Sequence, residues 1–291
     1  MKWAAILLPL VVADCGGSAP DAAPPTDETL QREMHAGRLA FELERDEEAV
    51  ARFRAALARA QERDDLDAIS NTGFNLAVAE LRANAPYWAL ADARATRMEL
   101  ERRGAKPFPA LQLAEATALY RTGAAAEADR AAQVIQHSED AEAAARATFL
   151  RGLIADDHSD LTGLAIAADA LNAAKTPPFE ADAAELAARL ALRRGNVGLA
   201  QQQAARAAEL RQATLDYRGL ARALALEGEA AERTGDKAAA DLFLRAGRSA
   251  AMQGDKTNAR VWLRRAISLA TGQPVGRAAS DLLRDLNLDR S

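Results

Sequence analysis

Small residues at helical spacing are the feature that most restricts how this chain can fold. Between Gly37 and Ala56 the sequence reads GRLAFELERDEEAVARFRAA, which predicts two helices joined by a short turn. Gly37 lies midway along the first helix. Ala49, Phe53 and Ala56 share one face of the second, because their spacing is i, i+4 and i+7. Small side chains let two helix axes approach closely, so this stretch predicts a tightly packed antiparallel pair.

Similar small residues recur along the chain, roughly 36–40 residues apart, which is the range expected of two-helix repeats. They are Ala77, Ala116, Gly152, Ala188 and Gly228. Helix pairs are predicted at 28–62, 65–104, 108–138, 141–175, 179–212, 215–253 and 256–288. In such an array each pair contacts its neighbours, so added length extends one continuous core rather than adding domains.

Turn residues support this division. Gly195-Asn196, Gly235-Asp236 and Gly254-Asp255 each place a glycine where a helix can end left-handed, followed by a residue suited to cap the next helix. Pro86 suits the first turn of a helix. The prolines at 177–178 predict a stop between repeats.

One region fits two repeat frames. Gly247, Ala259 and Leu263 follow the repeat pattern, yet they come only about half a repeat after Gly228. The helix predicted at 237–253 is therefore either the second helix of one pair or the first helix of the next. The final helices are either a shifted repeat or a cap.

The second unit carries a family resemblance. Its first helix, DLDAISNTGFNLAVAEL, ends at Leu81 and is followed by APYWALADARAT. This resembles the longer variety of tetratricopeptide repeat, although the tryptophan and tyrosine of the consensus are missing from nearly every unit. The resemblance covers most of residues 28–288. It implies an all-α fold, a right-handed α-α superhelix built as a solenoid of antiparallel helix pairs.

The resemblance also implies a binding surface. In tetratricopeptide proteins the first helices of the pairs line a concave groove that binds extended peptides or partner helices. Asn75 matches the asparagine that hydrogen-bonds a ligand backbone in that family, and Asn71 lies one turn earlier on the same face. A carboxamide both donates and accepts, so it can hold a peptide unit whatever its side chains. The alternative is that Asn75 bonds only to the neighbouring helix.

Apolar and basic side chains could extend this surface. The candidate partner-binding residues are Asn71, Phe74, Asn75, Val78, Arg82, Tyr120, Arg121, Phe149 and Arg189. The arginines, with Arg38, could pair with acidic groups of a partner. The alternatives are that the aromatic residues are ordinary core and that the arginines are solvated.

The N-terminus resembles a bacterial lipoprotein signal. Lys2 precedes an apolar run that ends at Val12, too short to span a membrane. The following Ala13-Asp14-Cys15 resembles a lipobox, but it departs at Asp14, where that family expects Gly, Ala or Ser. We therefore expect a signal peptide at 1–15, a flexible tether at 16–27 and the repeat domain at 28–288. The glycine after Cys15 favours the outer membrane, facing the periplasm; the alternative is a secreted or periplasmic protein cut elsewhere.

Composition and motifs argue against other classes. The net charge of -5, with acids and bases interleaved, is unlike a nucleic-acid binder. The three histidines are scattered, and no phosphate-binding loop or nucleophile motif is present. The acidic cluster at 156–160 is interpreted as a helix cap rather than a metal site. We therefore expect no enzyme activity, no cofactor, no metal and no small-molecule substrate.

These patterns predict a membrane-tethered tetratricopeptide scaffold that mediates protein–protein interaction in the bacterial cell envelope. Its partner would be a protein or peptide, and lipid on Cys15 would supply the membrane attachment. The alternative is a structural subunit of an outer-membrane assembly or secretion complex.

Overall fold

The computed structural model describes residues 27–174 and 179–288, and within these ranges it contains fourteen helices and no strand. The first seven are α1 (Glu28–Glu42), α2 (Asp46–Glu62), α3 (Leu66–Arg82), α4 (Pro86–Arg102), α5 (Pro109–Arg121), α6 (Ala125–Ile135) and α7 (Ala141–Asp157). The others are α8 (Leu161–Ala174), α9 (Glu180–Arg193), α10 (Val197–Ala213), α11 (Tyr217–Thr234), α12 (Ala239–Met252), α13 (Lys256–Leu269) and α14 (Pro274–Asp285). Each helix packs on the next in sequence order, which confirms the all-α solenoid of helix pairs.

The predicted signal peptide, the lipobox at Cys15 and the proline stop at 177–178 lie outside the described residues. Asp27, the last residue assigned to the tether, is the N-cap of α1 and accepts a hydrogen bond from the Leu30 amide at 2.8 Å. Arg59 of α2 and Arg63, which follows α2, also donate to its carboxylate. None of the described helices is long and apolar enough to cross a bilayer.

The first pair packs as its small residues predict. A Cβ atom added to Gly37 would lie 2.7 Å from the ring of Phe53, so the backbone of α1 rests directly on this aromatic side chain. Ala49 and Ala56 are fully buried on either side of it. Gly228 of α11 faces the ring of Phe243 in the same way, at 3.3 Å.

The predicted glycine turns are also confirmed. Gly195, Gly235 and Gly254 have φ angles of +74°, +71° and +73°, which is the left-handed region that glycine enters without strain. The Asn196 side chain accepts from the amide of Leu199 and caps α10. Pro86 begins α4.

The structure resolves the two repeat frames, because α12 serves in both. Its Phe243 packs against Gly228 of α11, as the second helix of a pair does. Its Gly247 lies where an added Cβ would be 2.6 Å from Leu263 of α13, as in the first helix of a pair. Consistent with this shift, α12 also contacts α14. The array therefore changes frame at α12, and α14 covers its end.

Odd-numbered helices form a continuous wall through most of the array. Contacts run from α3 to α5, from α5 to α7, from α7 to α9 and from α9 to α11. The side chains that face inward from this wall build the candidate site.

Candidate functional site: an arginine-lined inner cavity

Helices α5, α7, α9, α10 and α11, together with α12 and α13, line an open cavity of about 450 Å³, which we call the inner cavity. Four of the residues predicted to bind a partner line it, namely Tyr120, Arg121, Phe149 and Arg189. A second space of about 820 Å³, which we call the side groove, is lined mainly by residues of α11 and α13. The two spaces share the lining residues Tyr120, Arg189, Arg222, Asn258 and Trp262.

A buried carboxylate organises the wall of the inner cavity. Glu185 of α9 is completely buried, and Arg222 of α11 donates to both of its oxygens at 3.0 and 3.1 Å. Arg189, one turn along α9, donates to it at 3.0 Å. Burial opposes ionisation of Glu185, but the attraction of Arg222, Arg189 and Arg211 holds its pKa at about 2. Glu185 is therefore an anion that these guanidinium groups keep charged.

The ion network extends to neighbouring helices. Arg211 of α10 pairs with Asp182 and, at 2.6 Å, with Asp216. Asp156 at the end of α7 accepts from Arg189 at 2.8 Å and from Arg193 at 2.6 Å. Four arginines thus form ion pairs with four carboxylates. The partners are Arg189, Arg193, Arg211 and Arg222 with Asp156, Asp182, Glu185 and Asp216.

Aromatic side chains support these cations. The guanidinium carbons of Arg211 and Arg222 each lie 5.8 Å from the ring centroid of Phe149, within the range of a cation–π contact. The Tyr120 hydroxyl donates to Asp157 at 2.6 Å. Burial and the Asp157 carboxylate both raise the pKa of Tyr120, so its phenol stays protonated.

Arginines at the ends of odd-numbered helices form a second pattern, which we call the arginine ladder. Each donates to a carbonyl oxygen in the last turn of the preceding odd-numbered helix, and this oxygen also accepts from an amide of the turn that follows. The four bonds run from Arg82 to Phe41, from Arg121 to Leu81, from Arg193 to Asp156 and from Arg233 to Leu192. The helix α7 ends in Asp157 rather than in an arginine, so it supplies no donor to the ladder. Its carboxylate accepts a hydrogen bond from the Tyr120 hydroxyl.

The ladder and the ion network explain why the predicted arginines are not simply solvated. Arg82 donates to Asp46 at 2.7 Å and lies 3.8 Å from the ring centroid of Phe41. Arg121 and Arg189 are likewise hydrogen-bonded within the array. Arg38, in contrast, is exposed and lines a shallow pocket between α1 and α3.

The remaining predicted residues do not line the inner cavity. The Asn75 amide nitrogen donates to the backbone oxygen of Asn71 at 2.7 Å and to its side-chain oxygen at 2.8 Å, within α3 itself. Asn71 lines the shallow pocket beside α1. Phe74 packs edge-on against Phe108 with ring centroids 5.3 Å apart, and Val78 joins the same apolar cluster. The structure thus divides the predicted groove between the inner cavity, the α1–α3 pocket and the core.

The acidic segment at 156–160 has mixed roles. The Asp160 carboxylate accepts from the amides of Thr162 and Gly163 at 3.1 and 3.0 Å, so it caps α8 as predicted. Asp156 instead accepts hydrogen bonds from Arg189 and Arg193, and Asp157 accepts one from Tyr120. The sequence did not predict these bonds.

A long-range contact closes the array around the inner cavity. Arg218 at the start of α11 donates to the carbonyl oxygen of Arg82 at the end of α3, and to that of Gln253 at 3.2 Å. The Asn84 side chain donates to the carbonyl oxygen of Gly254 at 3.2 Å and accepts from Arg121. We call this set of bonds the closure contact. It joins the second helix pair to the sixth.

Comparisons with known proteins add no assignment of function. No family model and no curated protein matches the chain. A tetratricopeptide repeat protein from Parabacteroides merdae ATCC 43184 is similar at 16% identity, over 90% of this chain and 100% of that chain, with a TM-score of 0.49. The TPR2AB domain of yeast Sti1 in its pHSP90 complex is similar at 14% identity, over 86% and 98%, with a TM-score of 0.32.

The packing of this chain itself defines its fold class. Helices pair in sequence order, small residues lie where paired helices approach, and odd-numbered helices form the inner wall. The fold is a tetratricopeptide-like solenoid.

Proposed function

We propose that this protein is a membrane-tethered scaffold that holds a protein or peptide partner in the bacterial cell envelope. The observation that carries the proposal is the chemistry of the inner face. Tyr120, Arg189, Arg222, Asn258 and Trp262 bring polar and aromatic groups from four helices to the one space that the inner cavity and the side groove share. Aromatic and arginine side chains are enriched in protein-binding surfaces.

The tether rests on the sequence. An apolar run up to Val12 followed by the lipobox-like Cys15 supports lipid attachment, and the Gly-, Ala- and Pro-rich stretch after it suits a flexible linker. Stable anchoring needs more than one acyl chain, which a mature bacterial lipoprotein carries.

In-cell cross-linking tests both parts. The tagged protein is cross-linked, captured from detergent-solubilised membranes and compared with a Cys15→Ser variant. We expect one dominant partner in constant ratio, lost when the variant moves to the soluble fraction. Retention of Cys15→Ser in the membrane would contradict the lipid anchor. The absence of a reproducible partner, or capture of cytoplasmic proteins alone, would contradict the scaffold in the envelope.

The alternative, a structural subunit of an outer-membrane assembly or secretion complex, is favoured by a different observation. Large apolar side chains are exposed on even-numbered helices, with Trp88 at 65%, Val134 at 71% and Ile166 at 65% exposure. Isolated apolar residues on a surface are ordinary, but three on consecutive even-numbered helices fit a contact outside the cavity.

Paired substitutions separate the two functions. A subunit held through its even-numbered helices loses its partner on Ile166→Ser and tolerates Val261→Ser, a change in the side groove. A groove binder shows the reverse pattern.

A further inference from the structure

One corner of the inner cavity holds positive charge that the chain itself neutralises incompletely. Arg121, Arg218 and Arg222 all line this corner. Burial lowers the pKa of Arg121, and the nearby charges of Arg218 and Arg222 lower it further. Burial also lowers the pKa of Arg218, where Arg82 and Arg222 repel its charge and Asp46 and Asp255 attract it. Arginines also outnumber acidic residues among the side chains that line the cavity.

The hydrogen bonds of two of these arginines end on neutral oxygens. Arg121 donates to the Leu81 carbonyl and to the Asn84 carboxamide. Arg218 donates to two backbone carbonyls, and its closest carboxylate contact is Asp46 at 3.9 Å. Arg222, in contrast, is paired with both oxygens of Glu185. Arg121 and Arg218 are half-buried, and a charge withdrawn from water is usually compensated by an opposite charge, so these two arginines differ from the rest of the network.

Donor groups remain available at this corner. A guanidinium has five N–H donors, and the bonds above leave Nε of Arg121 and both Nε and Nη1 of Arg218 without an acceptor in the described part of the chain. Nε of Arg189 and Nε of Arg211 are buried and also lack an acceptor there. All four arginines line the same cavity.

Acidic residues that face the cavity are already engaged. Asp182 and Asp216 are held by Arg211. Asp255 caps α13, accepting from the Asn258 amide at 3.1 Å and from the Asn258 side chain at 2.7 Å. None of these three aspartates accepts a hydrogen bond from Arg121 or Arg218, although the charge of Asp255 attracts both guanidinium groups.

Part of the cavity wall is apolar. Leu113, Leu150 and Leu153 line it together with the rings of Phe149 and Trp262. Its volume of about 450 Å³ falls within the roughly 300–1,000 Å³ of typical small-molecule sites, which combine apolar walls with a few convergent polar groups.

We propose that the inner cavity binds a small organic carboxylate, with its carboxylate at Arg121 and Arg218 and its apolar body against Phe149 and Trp262. A carboxylate suits this corner because each of its two oxygens can accept a charge-assisted hydrogen bond from a different guanidinium group. This inference goes beyond the scaffold function and does not depend on it, since the site is built entirely within this chain.

Calorimetric titration of the full chain in detergent tests the proposal with four probes. They are 3-phenylpropionate, the neutral isostere 3-phenylpropionamide, inorganic phosphate and N-acetyl-dialanyl-phenylalanine, a blocked tripeptide with a free C-terminal carboxylate. We expect 3-phenylpropionate to bind at one site with a Kd of about 1 mM or tighter, and the amide at least about tenfold more weakly.

Three outcomes would overturn the proposal. They are the absence of saturable binding of 3-phenylpropionate, equal binding of the amide, and equal binding of phosphate. Binding of the tripeptide at least about tenfold more tightly than the free acid would also overturn it, because the carboxylate would then belong to a polypeptide terminus.

Variants place the binding at the predicted corner. Arg218→Gln and Arg121→Gln should each weaken 3-phenylpropionate binding about tenfold or more, because each removes a charged donor. Arg264→Gln is the matched control, since Arg264 is exposed and lines the side groove but not the inner cavity. Arg218→Lys keeps the charge but lacks the paired donors, so it should also weaken binding even where the glutamine variant fails to fold. Unchanged binding in a folded Arg218 variant would contradict the site.

Discussion

Arg218 donates a hydrogen bond to the carbonyl oxygen of Arg82, although 136 residues separate them in the chain. This bond ties the start of α11 to the end of α3, beside the Asn84–Gly254 bond. A solenoid in which each pair contacted only its neighbours would leave its two ends independent. Here the closure contact couples distant repeats and encloses the inner cavity.

Loss of the closure contact should therefore loosen two turns at once. We expect Arg218→Ala to speed amide hydrogen exchange both at the α3–α4 turn and at the α12–α13 turn, because a hydrogen bond from a charged donor contributes about 1.5–3 kcal/mol. Arg248→Ala, an exposed arginine on α12, is the control. Faster exchange at only one of the turns, or at neither, would show that the contact does not couple the repeats.

Glu185 should be among the most sensitive positions for stability. Glu185→Ala leaves Arg189, Arg211 and Arg222 without their shared buried anion, and breaking a buried ion pair costs about 3–5 kcal/mol of the free energy of unfolding. Urea unfolding measures this loss. Glu142→Ala is the comparison, since Glu142 pairs with Arg146 on an exposed helix surface and should cost only about 0.3–0.5 kcal/mol. Similar losses in both variants would contradict the role of the network.

The close approach at Gly37 makes a further prediction. Gly37→Ala places a Cβ atom 2.7 Å from the Phe53 ring, so we expect a loss of about 1–3 kcal/mol in the free energy of unfolding from overpacking. Gly198→Ala on α10 meets nothing within 4 Å and should cause no loss. Phe53→Leu combined with Gly37→Ala should recover part of the stability. If Gly37→Ala alone is as stable as the unmodified protein, the backbone does not pack on this ring.

Stability should depend on pH through Glu80. Its side chain is buried, and burial together with Asp92 raises its pKa from 4.5 to about 8, against the attraction of Arg54. The folded protein therefore keeps a proton that the unfolded chain releases above pH 4.5. The stabilisation is complete below that pH and is lost as the pH rises to about 8. Urea midpoints across this range should fall for the unmodified protein and fall less for Glu80→Gln; parallel curves would exclude Glu80 as the source.

The repeat architecture could be predicted because it depends on local residues. A small residue opposite a bulky one, as in Gly37 and Phe53, and a glycine before a capping residue, as in Gly195-Asn196, leave signals within a single helix pair or turn. The double role of α12 was visible as two overlapping patterns, but the choice required the contacts of Phe243 and Gly247.

The site was less predictable because its partners are distant in sequence. Glu185 looks like one more surface acid in EADAAELAARL, and only the fold brings Arg211 and Arg222 to it. The arginine ladder did leave a signal, since Arg82 and Arg121 occupy the same place at the ends of successive odd-numbered helices. The bond between Arg218 and Arg82 left none, because nothing in the repeat period relates the two positions.

Site-specific photo-cross-linking tests the scaffold function most directly. A photoreactive residue replaces either Val261, which lines the side groove and is 57% exposed, or Ile166, which is 65% exposed on an even-numbered helix. Cells carrying each variant are irradiated, and the captured adducts are compared. The account predicts one defined protein adduct at position 261 and none at position 166. An adduct at position 166 alone would contradict it and would favour an assembly subunit bound through its even-numbered helices.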